Sequence, residues 1–206
     1  MQLLVALCAC LGVSSAFLLP PVPTARPPAR HAGEESITTP DGHEEVCLRP
    51  AKQAEKGIVQ QTLLGMLMNP LSIDMQNFLC AEELKTGALV GFGQIRPIGG
   101  SNFEFASLHV AEGHRQRGIG SCLARQLMKE FVSKHGSKQL EKLYLLTMAS
   151  TASFYEKNGF AVVPPKDVPT VLKAERALGT LVLTFSGEGN SLVCMQAAHY
   201  IVDPLG

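Results

Sequence analysis

With 206 residues, 46% of them hydrophobic, the chain can bury one substantial core but not two large ones. Its 18 Lys and Arg balance 18 Asp and Glu. There is thus no global field that would favour nucleic acid or an anionic membrane surface.

Residues 1–33 hold no Asp or Glu. LLVALCACLGVSSA is an apolar run ending in Ser14-Ser15-Ala16, small residues of the kind a signal peptidase reads. Residues 1–16 are therefore expected to be a signal peptide, although no Lys or Arg precedes the run. Prolines from Pro20 onward interrupt the uncharged stretch and disfavour a transmembrane helix. Residues 17–33, FLLPPVPTARPPARHAG, are rich in Pro, carry Arg26 and Arg30, and stay acid-free. Phe17 directly after the cleavage point, followed by an acid-free tract, resembles the bipartite leader of algae with complex plastids. That resemblance implies a plastid destination; ordinary secretion with a disordered linker is the alternative. Loss of the leader leaves Cys47, Cys80, Cys122 and Cys194, too widely spaced to suggest a zinc site or a disulfide framework.

A folded domain is expected over residues 46–198. EVCLR reads as a short strand, with Pro50 opening a first helical turn where a missing N–H costs nothing. Val59, Thr62, Leu63, Met66 and Leu67 share one helical face, and Asn69-Pro70 ends the run. MQNFLCAEE and ALVGFGQIRPI read as strands joined at Lys85-Thr86-Gly87. Gly99-Gly100-Ser101-Asn102 turns the chain into a further strand, FEFASLHV.

The period then changes. Ile119, Cys122, Leu123, Leu127, Phe131 and Val132 form a helical stripe that stops at Gly136. KLYLLTM is a buried strand, and STASFYEKN a short helix with Ser150 as N-cap and Gly159 as its stop. FAVV is a strand, PTVLKAERALG a helix from near Pro169 to Gly179, and LVCM a last strand. The expected fold is α+β: a mixed, mostly antiparallel sheet of about six or seven strands flanked by helices.

HRQRGIGSCL sits where FEFASLHV gives way to the striped helix. Glycines at a helix start let a ligand approach free N–H groups at the positive end of the helix dipole, and Arg115 and Arg117 add charge. The chain lacks GxxxxGK[ST], and it has no GxGxxG after a first strand, so neither nucleotide-binding fingerprint applies. Arg115-x-x-Gly118-x-Gly120 instead resembles the acyl-CoA loop Q/R-x-x-G-x-G/A of the GNAT (GCN5-related N-acetyltransferase) superfamily. FEFASLHV resembles the strand before that loop, and SFYEKNGF resembles the family's closing F-Y-x-x-x-G-F element. Three motifs in this order identify a single GNAT domain.

The resemblance implies splayed central strands, around Leu108 and Leu145, that hold the arm of acetyl-CoA. Backbone of Leu108, His109 and Val110 would line the arm, with the Val110 amide as oxyanion donor. Gln116, Arg117, Gly118, Ile119, Gly120 and Ser121 would receive the pyrophosphate. Glu104, a carboxylate on an otherwise apolar strand, matches the position of the family's catalytic glutamate and would be the general base. A structural glutamate paired with an arginine is the competing reading. Tyr155, four residues before Gly159, would be the general acid. Many members carry Asn seven residues before that tyrosine, where this chain has Met148. LLTMASTASFY resembles instead a branch with L-x-T before F-Y, with Thr147 as a candidate polar contact. Cys122 is expected to pack in the core, and Lys134-His135 to favour the helix dipole.

The activity implied is acetyl transfer by direct attack of a primary amine on acetyl-CoA as co-substrate, without a metal. The expected acceptors are protein lysines or N-termini. A small-metabolite acetyltransferase, for amino acids or polyamines, and a non-catalytic acetyl-CoA sensor are the alternatives. No nucleic-acid partner is expected, nor a membrane partner once the leader is removed, and the chain is expected to act as a monomer or homodimer. The acceptor would meet residues 65–75 and 164–191, in which no specificity code is readable.

Overall fold

The computed structural model describes residues 35–38, 45–66, 68, 73–185 and 191–198. The leader segments expected over 1–16 and 17–33, and the helix stop at Asn69-Pro70, lie outside the described residues. Parts of the two acceptor segments do so as well.

Among the described residues eight strands are present: β1 (Glu35–Thr38), β2 (Glu45–Pro50), β3 (Phe78–Glu83), β4 (Leu89–Gly99), β5 (Asn102–Val110), β6 (Leu143–Met148), β7 (Phe160–Val162) and β8 (Leu192–Ala197). The helices are α1 (Lys56–Gly65), α2 (Ile119–His135), α3 (Ala152–Glu156) and α4 (Thr170–Phe185). Strand order in the sheet is β1-β2-β3-β4-β5-β6-β8-β7. The strands from β2 onward are the seven expected, and β1 is an addition that pairs antiparallel with β2. β5 and β6 are parallel, whereas β2 with β3, β6 with β8 and β7 with β8 are antiparallel. The fold is the expected α+β sheet with flanking helices. Among the described residues no helix is long and apolar enough to cross a membrane.

The chain divides into two compact units, residues 1–92 with 110–119, and residues 93–109 with 120–206. In the first, Val59 and Leu63 of α1 stand one turn apart and are fully buried against Met75, Phe78, Cys80 and Phe92. The Phe78 and Phe92 rings meet edge-on at 6.0 Å. Arg49 of β2 is buried and bonds Glu82 of β3 through Nε at 2.7 Å and Glu55 through Nη1 at 3.1 Å. Glu55 also accepts the backbone N–H of Lys52. Pro50 does not open a helix, contrary to expectation. It ends β2 opposite Leu79, and the next N–H, of Ala51, bonds the Phe78 carbonyl. A proline at a strand end forfeits no ladder bond when its neighbour supplies one.

In the second unit α2 buries Leu123, Ala124, Leu127, Met128 and Phe131, and ends where Gly136 turns to φ 85°. Gly93 of β4 makes room for that helix, since a Cβ there would lie 3.0 Å from Leu127 Cδ1. The β4–β5 hairpin closes at Gly100 and Ser101, both left-handed at φ 60° and 68°, the backbone a two-residue primed turn needs. Tyr144, Val163, Val168, Leu172 and Cys194 form a second core.

Two local expectations are overturned in this unit. Ser150 lies inside a 3-10 turn, Ala149–Thr151, and α3 follows with Thr151 at its cap position. Helix α4 does not stop at Gly179 but continues to Phe185. Gly179 is there for close approach, because a Cβ would meet Leu192 Cδ1 at 2.5 Å. His135 rests its ring 4.7 Å from Phe103 and 4.9 Å from Phe131. Burial, and then Lys134, lower its pKa, and both residues lie in the last turn of α2, as expected.

Candidate active site

β5 and β6 are in register at Phe103 with Leu143 and at Glu104 with Tyr144. β6 then stays with β8 from Tyr144–Gln196 to Met148–Leu192, while β5 runs on to Val110. The two strands part immediately beyond Glu104. Within the free stretch Ser107 takes φ 58°, the kind of kink a bulge puts into a strand. Ser107 is buried and accepts the Gln94 amide of β4 at 3.1 Å, while Gln94 Oε1 is buried with no partner.

Glu104 is 5% exposed. Arg96 of β4 holds it through Nε at 2.8 Å and Nη2 at 2.6 Å, both on Oε2. Nη2 also reaches Glu175 Oε1 of α4 at 3.5 Å. Burial pushes the Glu104 pKa up, Arg96 opposes that shift, and the Glu175 charge adds to it. The pairing with an arginine is thus present, and so is a carboxyl tuned toward accepting a proton.

Tyr155 of α3 sits among rings, its centroid 6.1 Å from Phe105 and 6.1 Å from Phe160. Burial raises its pKa to about 12, against a hydrogen bond with Thr147. The phenol therefore keeps its proton at any physiological pH. Thr147 is buried, with its hydroxyl 2.7 Å from that of Thr151, which in turn donates to the Met148 carbonyl. Thr147 thereby belongs to a hydroxyl chain that includes the Tyr155 phenol.

The glycine-rich stretch opens with a 3-10 turn, Glu112–His114. Arg115 folds back, Nε donating to the Val110 carbonyl at 3.0 Å. Gln116 takes φ 63° and Gly118 φ 80°. The first is a strained conformation for a residue with a side chain, of the sort that accumulates at functional turns. Helix α2 starts at Ile119, and its first N–H groups have no partner within the helix. Ile119 itself is buried, so only its backbone can face a ligand. Leu108, His109, Val110, Arg117, Gly118, Gly120 and Ser121 are half-buried, whereas Arg115 and Gln116 are exposed.

Cysteine chemistry has little foothold here. Burial lifts the thiols of Cys80 and Cys194 to about 12 and about 11, which suppresses their thiolates. Cys122 is half-buried and accepts Arg125 Nη2 at 3.4 Å. Among the described residues no three His, Cys, Asp or Glu side chains are grouped to hold a metal. Arg96, Glu175, Gln94 and Ser107 were not anticipated from the sequence. The available signal was a charged residue, Arg96, in the otherwise mostly apolar strand ALVGFGQIRPI.

Comparison with known proteins gives the same frame. Residues 74–162 match the family described as acetyltransferase (GNAT) domain. No curated protein sequence matches significantly. N-acetylglutamate synthase from Neisseria gonorrhoeae, complexed with coenzyme A and L-arginine, superposes with TM-score 0.53 at 14% identity, covering 74% of this chain and 33% of that one. The chain thus spans about a third of that synthase's length. Rv2747 from Mycobacterium tuberculosis, in complex with CoA and NLQ, gives TM-score 0.51 at 17% identity, covering 71% and 96%. An acetyltransferase of the GNAT family from Staphylococcus aureus Mu50 gives 0.50 at 17%, covering 61% and 90%. Residues 74–162 are thus similar to a GNAT acetyltransferase domain, and the fold is the one these structures share.

Proposed function

We propose that this chain transfers an acetyl group from acetyl-CoA to a primary amine, with protein lysines or N-termini as acceptors, inside a plastid. The observation that carries the reading is the parting of β5 and β6 directly after a buried carboxylate, within a stretch that matches an acetyltransferase domain. Backbone N–H and C=O groups of β5 beyond Glu104, left without β6 as a partner, suit an arm that itself carries amides. The N–H groups from Gln116 to Ser121 suit a pyrophosphate, which needs several donors converging at a helix start.

Acetyl-CoA, when bound, supplies an activated thioester; the residues of the chain manage the protons. An ammonium cannot attack, so Glu104 accepts the proton and the N–H electron pair stays on nitrogen. Tyr155, held protonated by burial, donates to the departing sulfur.

A small-metabolite acceptor is the second reading. It is supported by structural neighbours that were crystallised with amino-acid ligands, such as the Neisseria gonorrhoeae synthase with N-acetyl-glutamate. Incubating the purified chain with isotopically labelled acetyl-CoA, deacetylated plastid proteins and a metabolite pool separates the readings. Label on lysines or N-termini, above a Glu104→Gln control, supports the protein acceptor. Label confined to metabolites replaces it with the second reading. Acetyl-CoA binding with no label in either pool favours a sensor. The plastid assignment rests on the leader alone, and a reporter fused behind residues 1–33 that is secreted would overturn it.

A further inference from the structure

The arrangement of charge around Glu104 goes beyond pairing. A guanidinium facing a carboxylate in the usual fork spends both oxygens. Here Nε and Nη2 of Arg96 converge on Oε2 alone, at 2.8 and 2.6 Å, and Oε1 takes part in neither bond. The inner pair is buried, with side chains 12% and 7% exposed, while Glu175, which meets the same Nη2, is 35% exposed and its contact is long at 3.5 Å. One cation is therefore shared unequally between an inner carboxylate on β5 and an outer one on α4.

We propose that Arg96 is a positioning residue that pins Glu104 by Oε2 and leaves Oε1 as the atom that takes the amine proton, with Glu175 setting the strength of that hold. The inference rests on the reading of Glu104 as the base. In the step itself an N–H bond of the ammonium breaks, its electron pair remains on nitrogen, and an O–H bond forms at Oε1. Without Arg96 a carboxyl this buried would hold its proton and could not act. Without Glu175, Arg96 would serve Glu104 alone and the carboxyl would ionise more readily. Tyr144 of β6, in register with Glu104, and Cys194 of β8, whose thiol feels the Glu104 charge, complete the titratable surroundings, together with Arg176 of α4 near Cys194.

The test has two arms. Carbon-detected NMR titration of the glutamate carboxyls, with Glu104 assigned by its loss in Glu104→Gln, reads the site without any acceptor. Arg96→Gln should move the Glu104 midpoint up by about one to three pH units, and Glu175→Gln should move it down. The second arm follows kcat against pH with a peptide carrying one free lysine, and with a free amino acid in parallel. The acid limb should shift in those same opposite directions, Arg96→Lys should restore part of the shift, and KM for acetyl-CoA should stay constant. If Arg96→Gln fails to fold, the outer, half-exposed Glu175→Gln carries the test. Midpoints that do not move overturn the proposal, as does an equal loss of kcat at every pH. Glu104→Gln with unchanged rates at every pH would instead overturn the base assignment beneath it.

Discussion

Tyr155 stands edge-on to Phe105, ring centroids 6.1 Å apart and planes at 79°. Phe105 is the residue after Glu104 on β5, so one strand supplies both the buried carboxylate and the ring against which the phenol is set. The proposed acid and base are thereby tied to a single rigid element, the condition under which proton-transfer groups keep their geometry.

Tyr155→Phe keeps that ring contact and removes only the hydroxyl. Turnover should fall by about 100-fold, the lower range for loss of an acid, with acetyl-CoA affinity nearly unchanged. Lost stability should be about 1 kcal/mol, the worth of the bond to Thr147. Steady-state kinetics beside a thermal melt separates these effects; a large loss of affinity would make Tyr155 a binding residue. Because its pKa is about 12, no basic limb from this group should show below pH 10.

At Gly118, next to the first residue of α2, the backbone stands at φ 80°, so any L side chain is strained there. Gly118→Val should abolish acetyl-CoA binding in calorimetry while the far-UV spectrum and the cooperativity of unfolding persist. Binding at unchanged affinity would remove the loop from the cofactor site.

In the first unit the buried Arg49 with Glu55 and Glu82 makes a pH-dependent contribution whose sign follows from Glu55. Burial alone would raise its carboxyl pKa, yet the bond from Arg49, aided by the Lys52 N–H, holds it below the usual 4.5. Ionised Glu55 therefore stabilises the fold above pH 4.5, and that stabilisation is lost as pH falls through the lowered value. Glu55→Gln should be less stable at pH 7 and converge with the parent in acid. Arg49→Met, which strands the buried Glu82 and the half-buried Glu55, should cost about 3–5 kcal/mol at pH 7. Urea unfolding across pH measures both.

Gly179 and Leu192 should couple. Gly179→Ala gains about 1 kcal/mol of helix propensity but drives a methyl toward Leu192 Cδ1, 2.5 Å from the ideal Cβ position. In a Leu192→Ala background the clash is gone and the same substitution should stabilise. A double-mutant cycle with no interaction energy would show that the glycine is not there for close approach.

Much of this molecule was legible from residue pattern alone. The stripe from Ile119 to Phe131, ending at Gly136, set α2, and Gly100-Ser101 set the hairpin because only a left-handed backbone closes it in two residues. Pro50, Ser150 and Gly179 misled for one common reason. Each is a residue whose local preference names a boundary and is overridden: Pro50 and Gly179 answer to neighbours distant in sequence, Leu79 and Leu192, and Ser150 is absorbed into a local turn that leaves the cap position to Thr151. Glu104 stood out as a lone carboxylate in an apolar strand. Its partner could be found only to within one position, since a two-residue turn at Gly100-Ser101 sets Pro97, next to Arg96, opposite Glu104. Glu175 could not, because nothing local places that turn of α4 beside β4.

The brief pairing of β5 with β6 has a consequence for how the strand exchanges hydrogen. Past Glu104, alternate N–H groups of β5 face away from β4 and have no β6 carbonyl to hold them. These amides should trade protons for deuterons quickly, while those of β6, zipped to β8 as far as Met148, trade slowly. A ligand arm lying along β5 would slow that row of amides and little else in the strand. Mass-resolved deuterium uptake thus turns the gap in the sheet into a footprint of occupancy that any bound thioester or analogue must leave.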